Sequence, residues 1–293
     1  MGRRRPGASG HCPRSAAVLS RSSLGWEKAP AVFGGGFPGP SRLRVGTPAL
    51  RGRGPGCAPD GLTAVLSVFI SIHPWLKIFM LKCSTSLWSA DLANLGAEIR
   101  RVEPFTERFH IDVADGHYVP NLLFFPDQVK ALRAHTRLPL EVHLMTTDPM
   151  GWIDPFVEAG ADIIIFCLDS AKNPGEVLRA IQARGRQAGV SLLVSEGLEL
   201  VEPWWEQLDV LCVVGTAMGL KGASMDAGVP GKIRAARQLI DQRGLRTVIE
   251  ADGGIRRETV PLLAAAGADY IVPGSLMFKE NPPEMRQWLT TLP

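Results

Sequence analysis

The chain has few means of cross-linking itself. Its five cysteines (Cys12, Cys57, Cys83, Cys167 and Cys212) form no CxxC pair, and two of them precede residue 80. That spacing argues against a disulfide framework and fits a reducing compartment, so a cytoplasmic protein is expected. Acids are scarce at one end. Residues 1–79 carry eleven Lys/Arg and two Asp/Glu, a net of +9. Since the whole chain is +3, residues 80–293 carry 21 Lys/Arg against 27 Asp/Glu, a net of −6. The basic balance therefore belongs to the first segment, and nucleic acid is not an expected partner. A clean membrane-spanning run is also missing. The apolar stretch Leu62–Leu81 is broken by Ser67, Ser71, His73, Pro74 and Lys77, whereas a spanning helix needs about 20 mainly apolar residues.

Residues 1–79 show neither helical nor strand periodicity. Gly2-Arg-Arg-Arg-Pro-Gly7, Gly34-Gly-Gly-Phe-Pro-Gly-Pro40 and Arg51-Gly-Arg-Gly-Pro-Gly56 are Gly/Pro/Arg-rich text. Such composition buries too little apolar surface to offset its ordering entropy, so a disordered, low-complexity segment is expected. Three origins compete: upstream sequence that is translated only conceptually, with a working start at Met80; a transit peptide, since the segment bears Arg and Ser and is poor in acids; and a membrane anchor.

From residue 82 onward strand-like and helix-like stretches alternate. The strand candidates are 82–87, 107–113, 139–144, 161–167, 189–194, 208–214, 246–251 and 269–273. Helical patterns fall at 89–102, 127–135, 149–159, 173–187, 199–206, 229–243, 257–266 and 282–291. Ala-Gly-Ala-Asp occurs at 159–162 and again at 266–269, each time with Gly where a helix should end. Asp148-Pro149 and Asn173-Pro174 read as N-cap plus first-turn proline. Eight such units over residues 80–293 predict a single (β/α)8 TIM barrel, with a doubly wound open sheet as the alternative.

Four residues stand out: His110 and Asp112 in Phe109-His-Ile-Asp-Val-Ala-Asp-Gly116, His143 in Leu140-Glu-Val-His-Leu-Met145, and Asp252 in Val248-Ile-Glu-Ala-Asp-Gly-Gly254. Each lies at or near the end of an apolar β-branched run. Residues two apart on a strand share a face, so His110 and Asp112 project together. The second, third and seventh strands lie far apart along an open sheet but meet at the mouth of a barrel, which favours the barrel. Two imidazoles and two carboxylates suit one divalent ion (Zn, Fe, Mn or Co), and two acids flanking a carbon could move its proton. Glycines 253 and 254, with Gly274 and Ser275, follow the seventh and eighth strands and could cradle an anion. Asp115 reads as a turn residue, His117 as a loop residue and His135 as a solvated helix end; Trp204, Trp205 and Trp288 read as packing aromatics.

Residues 82–293 resemble the ribulose-phosphate 3-epimerase family of phosphate-binding barrels. The matching text is Ser86-Leu-Trp-Ser-Ala-Asp-Leu-Ala-Asn-Leu-Gly96, His110-Ile-Asp-Val-Ala-Asp-Gly-His-Tyr-Val-Pro-Asn121, Val142-His-Leu-Met145, Asp252-Gly-Gly-Ile255 and Ala266-Gly-Ala-Asp-Tyr-Ile-Val-Pro-Gly-Ser275. The resemblance implies His110, Asp112, His143 and Asp252 as metal ligands and Asp112 with Asp252 as the two-base pair. It further implies Ser86, His143 and Met145 as substrate contacts, and Gly219, Gly222, Gly253, Gly254, Gly274 and Ser275 as the phosphate loop. The implied activity is 3-epimerisation of a ketose phosphate, ribulose 5-phosphate/xylulose 5-phosphate or a relative such as a ketohexose 6-phosphate. The proton would leave C3 by way of a metal-stabilised enediolate, in a homo-oligomer, a dimer or a hexamer.

The family pattern is broken in three places. The strand-6 loop, commonly Pro-Gly-Phe-Gly-Gly-Gln, reads Met218-Gly-Leu-Lys-Gly-Ala223; Ala114 and Gly215 stand where the family has methionines; and Phe166-Cys167-Leu168 ends the fourth strand without the usual His. These changes touch the walls around a sugar rather than the acids. A barrel lyase or decarboxylase is the rival enzyme, but it would need a catalytic lysine on a strand inside the barrel, and the candidate strands place none in the central cavity. A non-catalytic sugar-phosphate sensor is the rival from another class.

Overall fold

The computed structural model describes residues 80–292. Among the described residues nine strands form: β1 (Lys82–Ser86), β2 (Arg108–Asp115), β3 (Leu122–Leu123), β4 (Leu140–Met145), β5 (Ile163–Cys167), β6 (Gln187–Leu193), β7 (Val210–Val214), β8 (Val248–Asp252) and β9 (Tyr270–Ile271). All but β3 pair in parallel in the order β1-β2-β4-β5-β6-β7-β8-β9, and β9 returns to β1. The sheet is a closed eight-stranded barrel. Every barrel strand is covered on both faces, which is why β5 (Ile-Ile-Ile-Phe-Cys) and β7 (Val-Leu-Cys-Val-Val) are continuous apolar runs rather than alternating ones.

Helices α1 (Leu95–Val102), α2 (Pro126–Arg133), α3 (Ile153–Ala159), α4 (Pro174–Gln182), α5 (Val229–Arg243), α6 (Val260–Ala266), α7 (Ser275–Phe278) and α8 (Pro282–Leu289) lie along the chain between and after the strands. The longest, α5, buries Val229, Ile233, Ala236 and Ile240, one stripe at helical spacing. With Val142, Ile164, Val190 and Leu211 from the outward faces of the strands, such stripes make the main core. Gly160 and Gly267 end α3 and α6 at φ 97° and 95°, so both Ala-Gly-Ala-Asp copies turn the chain through the left-handed conformation that glycine adopts at least cost.

The structure departs from the sequence expectations at several connections. Residues 199–206 lie in a 3-10 segment, Leu198–Gln207, because Pro203 sits inside it and supplies no backbone N–H. The helix expected over 173–187 stops at Gln182; Gly185 takes φ 70° and Gln187 already belongs to β6. Asn173 precedes α4 but its side chain makes no capping hydrogen bond. Strand β3 was not expected; it pairs antiparallel with the end of β2, Ala114 opposite Leu123 and Asp115 opposite Leu122. The expectations for residues 1–79 lie outside the described residues. Among the described residues, no helix is long and apolar enough to cross a membrane.

Asp115 is the turn residue its sequence suggests. Its carboxylate accepts from the backbone N–H groups of His117, Tyr118 and Thr147, each at 2.8 Å, and from Thr147 Oγ1 at 3.0 Å. It thereby ties the loop after β2 to the loop after β4. Partial burial pushes its pKa up, but these donors outweigh that and bring it from 3.8 down to about 2. A carboxyl depressed on folding stabilises above its unfolded pKa and loses the contribution as pH falls through the folded value. Asp115→Ala is therefore expected to cost about 1 kcal/mol at pH 7, discounted for solvent screening. Thermal melts of the two proteins should converge near pH 2.

Candidate metal and acid/base site

Strand parity sets the lining of the barrel. In β2, Arg108, His110 and Asp112 face inward; in β4, Glu141 and His143; in β8, Glu250 and Asp252, and the pairings place Asp112 beside His143 and His110 beside Glu141. The opposite side of the interior is apolar, built from Ile163, Ile165, Val210, Cys212 and Val214. The barrel core is thus split into a charged half and a greasy half.

The structure brings His110, Asp112, His143 and Asp252 together: one donor atom from each lies within 4.8 Å of all the others. His110 Nε2 is 3.3 Å from Asp112 Oδ1, and His143 Nδ1 is 3.7 Å from that same oxygen and 4.0 Å from Asp252 Oδ2. The other imidazole nitrogens are engaged. His110 Nδ1 is hydrogen-bonded to Glu141 Oε1 at 2.8 Å, and His143 Nε2 meets Ser191 Oγ at 2.9 Å. Those bonds leave His110 Nε2 and His143 Nδ1 buried and without a hydrogen-bond partner, both aimed at the two aspartates. Buried ring nitrogens are rarely left so. Two buried imidazole nitrogens without a hydrogen-bond partner and two carboxylates at this spacing fit a divalent cation such as Zn, Fe, Mn or Co.

The two acids sit in unlike surroundings. Burial pushes the Asp112 carboxyl up, but His110 and His143 outweigh it and hold it well below the usual carboxylate range. Ser86 Oγ also donates to Asp112 Oδ2 at 3.0 Å. Asp252, whose side chain is 20% exposed, is pushed up to about 6 by burial and by the Asp112 charge, against the pull of the imidazoles. A bound dication would draw both down.

Above the four lies a cavity of about 240 Å³ at the C-terminal mouth. Of the residues expected to contact substrate, Ser86, Met145, Gly219, Gly222, Gly253, Gly254, Gly274 and Ser275 line it, as do Asp112 and Asp252. His110 and His143 lie fully buried beneath. Gly254 is required by close approach: at φ 69°, a Cβ there would fall 2.4 Å from the Met225 backbone nitrogen. The loop after β7 is drawn over the mouth by Lys221, whose Nζ donates to the Trp88 carbonyl at 2.6 Å. Lys279 and Arg256 complete a cationic rim. Met218 packs against the cluster of Ala114, Val119, Met145 and Cys167, so another loop adds apolar cover on this side of the site. His117 is exposed and lies away from this cavity, as does His135, which pairs with Arg100 past the end of α2. Trp205 is core, and Trp288 packs under Arg257.

Sequence reasoning missed the residues beneath the four: Arg108, Glu141, Ser191 and Glu250. A signal was present. Arg108, Glu141 and Glu250 each precede a singled-out residue by two positions, and strand alternation puts such pairs on one face.

Comparison with known proteins identifies the family. The model of the ribulose-phosphate 3-epimerase family matches residues 82–278. The chain is 36% identical over 204 residues to the ribulose-phosphate 3-epimerase of Bacillus subtilis, covering 69% of this chain and 94% of the relative. It is 38% identical over 200 residues to that of Rhodobacter capsulatus, covering 68% and 86%. Among solved structures it is similar in fold to a 3-keto-L-gulonate-6-phosphate decarboxylase from Vibrio cholerae, with a TM-score of 0.54 at 15% identity, covering 73% of this chain and 96% of that one. The likeness to the decarboxylase concerns the barrel alone, whereas the epimerase match runs through the strands that carry the four residues. This chain belongs to the ribulose-phosphate 3-epimerase family, isomerases that act on carbohydrates.

Proposed function

We propose that the protein interconverts D-ribulose 5-phosphate and D-xylulose 5-phosphate by two-base proton transfer at C3. The observation that carries this reading is the meeting of Asp112 and Asp252 beside two buried, unpartnered imidazole nitrogens at the floor of one cavity. His110, Asp112, His143 and Asp252 would hold a divalent cation, which would stabilise the negative charge that develops on the substrate oxygens as C3 loses its proton. Asp112 and Asp252 come from β2 and β8, which β1 and β9 separate around the barrel. One takes the C3 proton and the other supplies a proton to the opposite face, which inverts the centre. Ser86 holds Asp112 in place through its hydroxyl, and Met145 with Met218 keeps the reacting end of the cavity apolar.

The phosphate belongs at the other end, among Gly219, Gly222, Gly253, Gly254, Gly274 and Ser275. Lys221, Lys279 and Arg256 there favour an anion. Lys221→Ala is expected to raise KM by about 3- to 10-fold with little change in kcat, a uniform-binding loss. An unchanged KM would make Lys221 a loop charge.

The direct test is turnover of a panel of ketose phosphates by the purified full-length chain, with metal analysis. Preference for ribulose 5-phosphate, with one metal per chain, is the expected result. A preference for a ketohexose 6-phosphate would keep the chemistry and change the substrate. Binding without turnover of any member would favour a non-catalytic sensor.

A further inference from the structure

Beneath the four residues lies a second buried cluster with no part in the proton transfer. Glu141 and Glu250 are fully buried, and Arg108, at 4% exposure, is the one buried arginine or lysine among the described residues. Arg108 Nη2 is 2.8 Å from Glu141 Oε2 and also bonds Glu250. The Tyr270 ring closes the cluster, 3.7 Å from the guanidinium. Two buried carboxylates on facing strands repel each other and lose their hydration, and a guanidinium between them offsets both costs. His110, Glu141 and Glu250 are themselves close enough to hold a cation, and the guanidinium is the cation that lies against both carboxylates.

Glu141 divides its two oxygens. Oε2 faces Arg108, while Oε1 accepts from His110 Nδ1 at 2.8 Å and from Ser84 Oγ at 2.7 Å. With Glu141 ionised, its oxygens only accept, so a neutral His110 carries its hydrogen on Nδ1 and turns the Nε2 lone pair toward Asp112. A carboxylate free to rotate would not set that ring in one orientation. We propose that Arg108 is a positioning residue: by clamping Glu141, it sets the ring orientation and tautomer of His110 for metal binding. The inference rests on the metal site proposed above. It adds that the affinity of that site depends on a guanidinium which touches neither metal ligand nor substrate.

Co2+ alone, titrated into metal-stripped full-length protein against a competing chelator, tests this without turnover. Loss of an outer-shell partner typically weakens a metal site about 10- to 100-fold. Arg108→Met should therefore raise the Co2+ Kd by about that factor and change its visible d–d absorption. Glu141→Gln should do the same, and the double variant should be no weaker than the worse single, because the two act as one unit. Arg108→Lys should recover part of the affinity. A folded Arg108→Met protein with wild-type Co2+ affinity and spectrum would overturn the proposal, as would fully additive single effects. Should Arg108→Met not fold, wild-type affinity in both Glu141→Gln and Arg108→Lys overturns it equally. Wild-type protein that binds no Co2+ would instead remove the metal site itself, so the two failures are told apart.

Discussion

Asp112→Asn and Asp252→Asn are each expected to lower kcat by at least about 1000-fold, because an amide neither accepts nor returns a proton at neutral pH. The substitution keeps shape and an oxygen donor, so part of the metal affinity should survive. Metal content measured beside turnover separates loss of the acid from loss of the ion. Solvent deuterium gives the mechanistic readout. Wild-type protein in D2O should place deuterium at C3 of the product, since inversion by two bases delivers a solvent-derived proton from the second face. Each Asn variant should still bind substrate yet fail to epimerise it. Product formed at the wild-type rate with no deuterium at C3 would exclude proton transfer through these carboxyls. The two acids are not interchangeable in this site: Asp112 lies between both imidazoles and is bonded to Ser86, while Asp252 opens onto the cavity with its pKa pushed up to about 6.

Removing the phosphate from the substrate should be nearly as costly. Free ribulose is expected to lose about 100-fold or more in kcat/KM, although the reacting carbon is unchanged. In the proposed reaction, contacts to a remote dianion would hold C3 between the acids, and the energy of those contacts would appear as rate. The same cavity is lined by Asp112, Asp252 and Met145 and by Gly253, Gly254, Gly274 and Ser275 with Lys221 and Lys279. Equal kcat/KM for ribulose and its 5-phosphate would remove the anion site from the proposed function. Inorganic phosphate should inhibit the wild type competitively and inhibit Lys221→Ala more weakly.

The eight-fold alternation of strand and helix was legible because strands buried on both faces are short apolar β-branched runs, and the glycine-ended helices between them carry their own stop signals. The two Ala-Gly-Ala-Asp copies turn as their chemistry requires, at Gly160 and Gly267. Connections were read less well. Leu198–Gln207 has helical spacing but contains Pro203, and the pairing of Leu122 and Leu123 with β2 depends on a partner strand that no local pattern announces.

The sequence by itself determined the barrel and the identities of the four residues at its charged floor, because strand period two and family text both act over a few neighbouring positions. Tertiary structure alone decided what surrounds them. Arg108, Glu141 and Glu250 stand on three strands up to 142 positions apart, and only closure of the sheet sets their charges against one another. Met218 reaches the cluster that holds Ala114 and Met145, and Lys221 reaches Trp88, by long-range packing of loops. A side chain's face is a local property of its strand; its partners and the field it feels are properties of the closed barrel.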